Sequence, residues 1–188
     1  MTSPVDEAFI SVDVEASGPT PSDYSLLSIG ACVAFDPAKN FYVELQPATD
    51  ASTPEAMAVG GLDLERLGEH GIPPAEAMRQ FRDWVSQSTI GDRTPVFVGL
   101  NAPFDWMFVA DYFHRFLGQN PFGHKALDIK ALFMGATGSR WNDTKFRHIA
   151  EHYGMEQRAL THNALEDALA QAALFRSVIE ELTGGTRA

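Results

Sequence analysis

The sequence predicts an α/β protein: a mixed β-sheet, begun by an antiparallel meander and continued by parallel strands, with helices on both faces. Three observations carry this. Three strand-like segments, FISVDVE, LLSIGACVAF and NFYVELQP, follow one another near the start of the chain. A further apolar strand, TPVFVGLN, runs directly into a long apolar helix, PFDWMFVADYFHRFLG, which makes a βα unit. From there to the end, helical patterns alternate with short strand-like pieces, the arrangement that packs helices against both sides of a sheet.

The elements follow in order. In FISVDVE, Ile10, Val12 and Val14 fall on one face of an extended chain while Ser11, Asp13 and Glu15 fall on the other. The cluster SGPTPSD reads as a loop that returns the chain to LLSIGACVAF, which is apolar on both faces and so belongs inside a covered sheet. A DPAK turn leads into NFYVELQP. Residues 51–73 are turn-rich with short helical pieces, and PPAEAMRQFRDWVSQ is a helix opened by proline, with Ala77, Phe81, Trp84 and Val85 at helical spacing. A short ALDIKALF segment, a helix around 143–153 and a last helix from near Asn163 to about Leu182 complete the chain. Asn163, with Glu166 three residues on, fits an N-cap and its capping-box partner. Leu165, Ala168, Leu169, Ala172 and Ile179 form the expected core-facing stripe, with Asp167 outside it.

With 188 residues, 45% of them hydrophobic, the chain suits a single domain, residues 1–188. The start, MTSPVDEAF, has no leader-like pattern, and no apolar run reaches the length of a membrane span. One cysteine, Cys32 in an apolar strand, excludes an internal disulfide and a cysteine zinc site and fits a reducing cytoplasm. The net charge of −11 argues against broad electrostatic capture of long nucleic acid.

Two carboxylates on one face of FISVDVE have two readings, an amphipathic edge strand or a divalent-metal site. Asp105, in the first turn of the helix after TPVFVGLN, either complements the helix dipole or sits where open α/β sheets place their ligands. His162 stands just before the last helix, a short reach from Asp167. Taken together, Asp13, Glu15, Asp105 and Asp167 would repel one another unless cations neutralised them, and their hard oxygens suit Mg²⁺ or Mn²⁺. Two such ions beside a histidine are equipment for in-line attack on a phosphodiester.

The three segments, in this order, resemble the three motifs of the DnaQ-like (DEDDh) 3′→5′ exonucleases: FISVDVEASG the D-x-E motif, NAPFDWMF the N-x-x-F-D motif, and HNALEDA the H-x-x-x-x-D-A motif. The likeness spans about residues 8–175. It implies a ribonuclease H-like fold and release of nucleoside 5′-monophosphates from a 3′ end of single-stranded DNA or RNA with two divalent ions. Carried over residue by residue, Asp13, Glu15, Asp105 and Asp167 become metal ligands and His162 the general base. Asn101 and Phe104 help shape the site, and Ala16, Ser17 and Gly18 offer backbone contacts to the terminal nucleotide. Tyr24, in a polar loop, is the stacking candidate for a terminal base. Arg140 and Lys145, flanking Trp141, are candidates for substrate phosphate, and scattered surface charge accounts for them equally well. Several relatives in this family form homodimers, so a second copy of the chain enters as a partner. Where many members read T-T-G after the glutamate this chain has Ala16-Ser17-Gly18, and Leu100 stands where many have histidine. Asp128 resembles an acid that often follows the second motif, with a structural role as at least an equal alternative. The competing functions are a non-catalytic nucleic-acid or protein adaptor on the same fold, which would have little reason to fill all five positions, and a phosphodiesterase acting on small nucleotides.

Overall fold

Alternation decides the first strand, β1 (Glu7–Ala16): Ile10, Val12 and Val14 are buried on one side of the sheet, and Asp13 and Glu15 point to the other. The computed structural model describes residues 6–89, 91, 93–155 and 161–184. The first five and last four residues of the expected 1–188 span lie outside the described residues. β2 (Leu26–Val33) and β3 (Asp36–Glu44) pair antiparallel to form the expected meander. β4 (Thr94–Gly99) lies parallel to β1, and β5 (Ala126–Asp128) parallel to β4, giving the order β3-β2-β1-β4-β5.

β3 starts earlier than expected. The DPAK residues belong to the strand, and the turn is at Ala34–Phe35, where the Ala34 N–H donates to the Phe9 carbonyl. Pro37 is accommodated because β3 is an edge, where a missing N–H costs no ladder bond.

One face of the sheet is covered by α3 (Pro74–Ser88) and α4 (Ala102–Leu117). Phe81 from α3 and Phe108, Tyr112 and Phe113 from α4 are fully buried there against Ile10, Val12, Ile29 and Phe97. The other face carries α5 (Ile129–Thr137), α6 (Phe146–His152) and α7 (Ala164–Leu182). Two short helices, α1 (Pro54–Gly60) and α2 (Leu64–His70), occupy the turn-rich stretch. Among the described residues, no helix is long and apolar enough to cross a membrane.

α7 lies closer to the sheet than ordinary side chains would allow. Gly30 of β2, directly across from Asp13, faces its first turn, and a Cβ there would overlap the backbone of Ala164 and Leu165. The missing side chain is what lets the start of α7 settle beside the acidic face of β1. The buried stripe of α7 is accordingly not the one its leucines suggest. Leu165 and Leu169 are only partly buried, whereas Asp167 and Gln171 lie among Ala164, Ala168 and Ala172 in the buried set. Small residues line the near end because the gap to the sheet is narrow, and two polar residues fit because Gln171 finds a partner across it in Asp13 and Asp167 finds the backbone N–H groups of Thr161 and His162 just before the helix.

Candidate active site

The parallel strands β1, β4 and β5 end at the same rim of the sheet, and a cleft of about 600 Å³ opens there. Asp13, Glu15, Asp105, Asp167 and His162 all line it, together with Asn101, Phe104, Ala16 and Gly18. The three sequence segments are thus brought to one place from three separate elements.

Asp13 and Glu15 arrive by strand alternation. Burial first, then the charges of Asp105, Glu15 and Asp167, hold the Asp13 carboxyl well above the usual carboxylate range. One group works against this, the Gln171 side chain, whose Nε2 donates to Asp13 Oδ1 at 2.5 Å. Burial, reinforced by the Asp167 charge, pushes Glu15 up to about 7. A register shift between Glu15 and Ala16 ends the regular β1–β2 pairing at the cleft.

Asp105 is 4% exposed, and its Oδ1 accepts the Val14 N–H at 3.1 Å. That N–H lies beyond the paired part of β1 and β4, which ends at Ser11, so the carboxylate takes the place of a sheet partner. Burial raises its pKa to about 8 against the opposing effect of this bond and of its own backbone N–H. The dipole reading of Asp105 is therefore too weak: a group meant for solvent at a helix start would not be buried among acids.

The turn that delivers Asp105 is strained. Asn101 has φ 67°, ψ 41°, the left-handed region, and its side chain does not cap α4. Asp128 does so from the end of β5: its Oδ2 accepts the Ala102 N–H at 2.7 Å and its Oδ1 the Ala131 N–H at 2.7 Å. One carboxylate thereby ties the starts of α4 and α5 together and leaves the exposed Asn101 side chain in the cleft.

His162 is the second left-handed non-glycine residue, with φ 56°. Asp167, 3% exposed, holds this backbone: its Oδ2 accepts the His162 N–H at 3.0 Å, and its Oδ1 the Thr161 N–H at 2.8 Å. Asn163 then caps α7 through Oδ1, accepting from Leu165 and Glu166, while Glu166 stays exposed. Ligand atoms of Glu15, His162 and Asp167 all lie within 4.8 Å of one another, close enough to hold one metal ion.

Other expected contacts fall differently. The Ser17 N–H donates to Ser25, its carbonyl accepts from Thr53, and its hydroxyl donates to the Ala51 carbonyl, so Ser17 secures the loop and does not line the cleft. The Tyr24 ring lies against Gly18, where any Cβ would overlap it, and is not among the lining residues. Phe104 does line the cleft, tilted against Phe108 at 5.4 Å, while Trp106 packs edge-on to Phe97.

Sequence reasoning passed over several residues. Gln171 is 1% exposed, and besides holding Asp13 it accepts the Leu100 N–H through Oε1 at 2.8 Å. Its signal was a polar residue four positions after Asp167, hence on the same helical face, in an alanine-rich stretch. Thr53, Glu55 and Ala56 form one wall because the Thr53 N–H donates to the Ser17 carbonyl and brings α1 over the cleft. No pattern in residues 51–73 marks that contact.

Known proteins resemble this chain in sequence and in fold. A curated relative from Escherichia coli, the 3′-5′ DNA exonuclease Cap18, is 49% identical over 172 residues, covering 92% of this chain and 91% of the relative. Among solved structures, the nuclease domain of 3′hExo, a DEDDh family member bound to rAMP, superposes with a TM-score of 0.77 at 14% identity, over 99% of this chain and 98% of that one. The E. coli ExoI–ssDNA complex superposes with a TM-score of 0.73 at 18% identity, over 95% of this chain and 41% of that one. S. pombe Pop2p in its Mg²⁺- and Mn²⁺-bound form gives 0.71 at 16% identity, over 97% and 86%. The fold is thus the ribonuclease H-like fold of DEDDh nucleases, and the family model for the 3′-5′ exoribonuclease Rv2179c-like domain matches residues 8–179. With three acidic motifs gathered in one cleft and this match over nearly its whole length, the chain belongs to the Rv2179c-like family of 3′-5′ exonucleases.

Proposed function

We propose that the chain acts as one domain that removes nucleoside 5′-monophosphates from the 3′ end of single-stranded DNA or RNA. In this reading two divalent cations, Mg²⁺ or Mn²⁺, are held by Asp13, Glu15, Asp105 and Asp167, and His162 is the general base. The observation that carries it is the convergence of the four carboxylates, two of them nearly fully buried, in a cleft whose lining contains no lysine or arginine among the described residues. A phosphate could not enter this cleft unless cations came with it. The donor set fits them, being hard carboxylate oxygens, and in Asp13, Glu15 and Asp105 burial first, then the neighbouring acids, raises the pKa above the usual range.

Bound there, divalent cations supply activation of the attacking water and stabilisation of the leaving 3′-oxygen. The chain's own groups do the rest. His162, exposed at the mouth on a backbone fixed by Asp167, takes the water's proton on an imidazole nitrogen. Phe104 and Asn101 on one wall, with the Ala16 and Gly18 backbone on the other, bound the space for the terminal nucleotide. Val14 and Gln171 hold Asp105 and Asp13 in place by donating hydrogen bonds. A homodimer and a cytoplasmic setting complete the proposal. The single cysteine, Cys32, supports the latter, since one buried thiol forms no internal disulfide.

The family description names a ribonuclease and the E. coli relative a DNA exonuclease, so the test runs both sugars. Single-stranded DNA and RNA labelled at the 5′ end are incubated with Mg²⁺, Mn²⁺ or EDTA, beside His162→Ala. The expected result is a ladder shortening from the 3′ end that EDTA and the substitution both abolish. Intact substrate under every metal would overturn the proposal.

A further inference from the structure

We propose that Lys130 and Trp141, with Arg140 and Lys145, form a surface that takes the single strand upstream of the terminal nucleotide. The inference rests on the exonuclease reading above and extends it beyond the cleft. It starts from charge. Residues 130–148 hold four of the chain's 14 lysines and arginines but only one of its 25 acids, a local net charge of +3 in a chain of −11. The partners differ as well. Elsewhere, among the described residues, Lys39, Arg66, Arg79, Arg82 and Arg115 are each ion-paired with a carboxylate, while Arg93, Lys125 and Arg176 are not. Lys130, Arg140, Lys145 and Arg147 have no carboxylate partner among the described residues, and the last three are exposed.

The fold starts this segment at the rim of the cleft. α5 begins where β5 ends, at the same edge of the sheet as the ends of β1 and β4. Asp128, its cap, is hydrogen-bonded to Ala102 beside Asn101 in the cleft, and Lys130 follows two residues later. Lys130 Nζ stands 4.3 Å from the centre of the Trp141 ring. That ring is 49% exposed at the start of a short 3-10 helix (Trp141–Asp143), and the backbone beneath it is fixed: buried Thr144 donates to the Trp141 carbonyl from Oγ1 at 2.7 Å and from N–H at 3.2 Å. The result is an exposed aromatic ring on a fixed backbone, with Lys130 over it and Arg140 and Lys145 close to it in the chain.

An unpaired nucleic-acid strand fits such a surface. Bases stack on tryptophan without regard to sequence, and Lys and Arg pair with the phosphates between them. The acidic cleft would repel a strand that reached it without help, so cations just outside it are where the phosphates upstream of the scissile bond need them. Charge admits either a nucleic-acid strand or an acidic peptide, and the exposed Trp141 ring favours the strand, whose bases stack on it.

The test measures binding of a 5′-labelled single-stranded octamer by anisotropy in the full chain carrying His162→Ala, with Mg²⁺ and increasing salt. Hydrolysis of a dinucleotide and of the octamer is followed in the otherwise unaltered chain. Trp141→Ala should weaken octamer binding about tenfold or more, and Trp141→Phe should retain most of it. Lys130→Gln and Lys145→Gln should each lower the slope of log K against log salt by roughly 0.7. Dinucleotide hydrolysis should be unchanged in all four. Octamer binding and salt slopes equal to the parent's would overturn the surface, as would equal losses on dinucleotide and octamer. Hydrolysis of neither substrate by the parent would instead overturn the exonuclease reading, and the surface with it.

Discussion

The two faces of the sheet are built from the same strands and do different work. Toward α3 and α4, β1 presents Ile10, Val12 and Val14 to a packed group of phenylalanines, Phe81, Phe108 and Phe113. Toward α7, the same strand presents Ser11, Asp13 and Glu15, opposite Gly30 of β2 and Asp167 and Gln171 of the helix. Because strand side chains alternate, a slip of one residue in β1 would exchange the two sets and lose both core and site. The comparison teaches that stability and chemistry are separated across a single layer. Removing side chains from one face should leave the function of the other intact.

The largest expected effect breaks the apolar face. Phe81 is fully buried and stacks on Phe41 at 5.2 Å and on Phe113 at 5.6 Å. Phe81→Ala should cost about 3–5 kcal/mol of stability in urea unfolding, yet leave Mn²⁺ affinity of the folded fraction unchanged. A fall in metal affinity would mean that the faces are not independent. On the other face, Gly30→Val should cost about 1–3 kcal/mol by overpacking against the backbone of Ala164 and Leu165. It should also shift the start of α7, and displacing Asp167 by an ångström should lower kcat about a hundredfold. If Gly30→Val lost stability but kept its kcat, the close approach of α7 would be a packing feature alone.

Gln171→Met sharpens the comparison, because it nearly preserves volume while removing the donor to Asp13 and the acceptor for Leu100. Loss of a group that orients a metal ligand should weaken Mn²⁺ binding about 10- to 100-fold, with a smaller effect on melting. Titration of the free Mn²⁺ signal measures this directly. Unchanged affinity would reduce Gln171 to a satisfied core residue.

How much could be read from the sequence follows the same division. Strand periodicity located β1 and the shared face of Asp13 and Glu15, since in a strand orientation is fixed by parity alone. Helix α7 was harder. Its leucines mark a stripe, but Leu165 and Leu169 are only half-buried while Asp167 and Gln171 are buried. Hydrophobicity is a good guide to burial only where the opposing surface is apolar, and here it is acidic and close. The motif spacing brought His162 and Asp167 to the site, though not the two left-handed backbones at Asn101 and His162, which Asp128 and Asp167 hold from other parts of the chain. The start of β3 was misplaced because DPAK carries turn residues, and their tolerance there depends on the strand lying at an edge. Contacts such as Thr53 to Ser17 are set by tertiary packing and have no local signature.

A change of pH separates the faces without any mutation. In the absence of divalent ions, burial raises Glu15 to about 7 and Asp105 to about 8, and Asp13 moves the same way. In the unfolded chain all three titrate near the ordinary values of 4.5 for Glu and 3.8 for Asp. Below pH 4 both states hold these protons and no difference arises. Between about 4 and 8 the folded state keeps protons that the unfolded state has released, so stability must fall as pH rises through that window. Melting in EDTA should therefore decline by roughly 10 °C from pH 5.5 to 8, and Mg²⁺ should restore more of it at pH 8, where the carboxylates are free to bind. Phe81→Ala should lower both curves without altering their slope, whereas Asp105→Asn should flatten the EDTA curve. A melting temperature independent of pH in EDTA would mean that the four acids do not share one low-dielectric cleft, and the proposed metal site would lose its electrostatic basis.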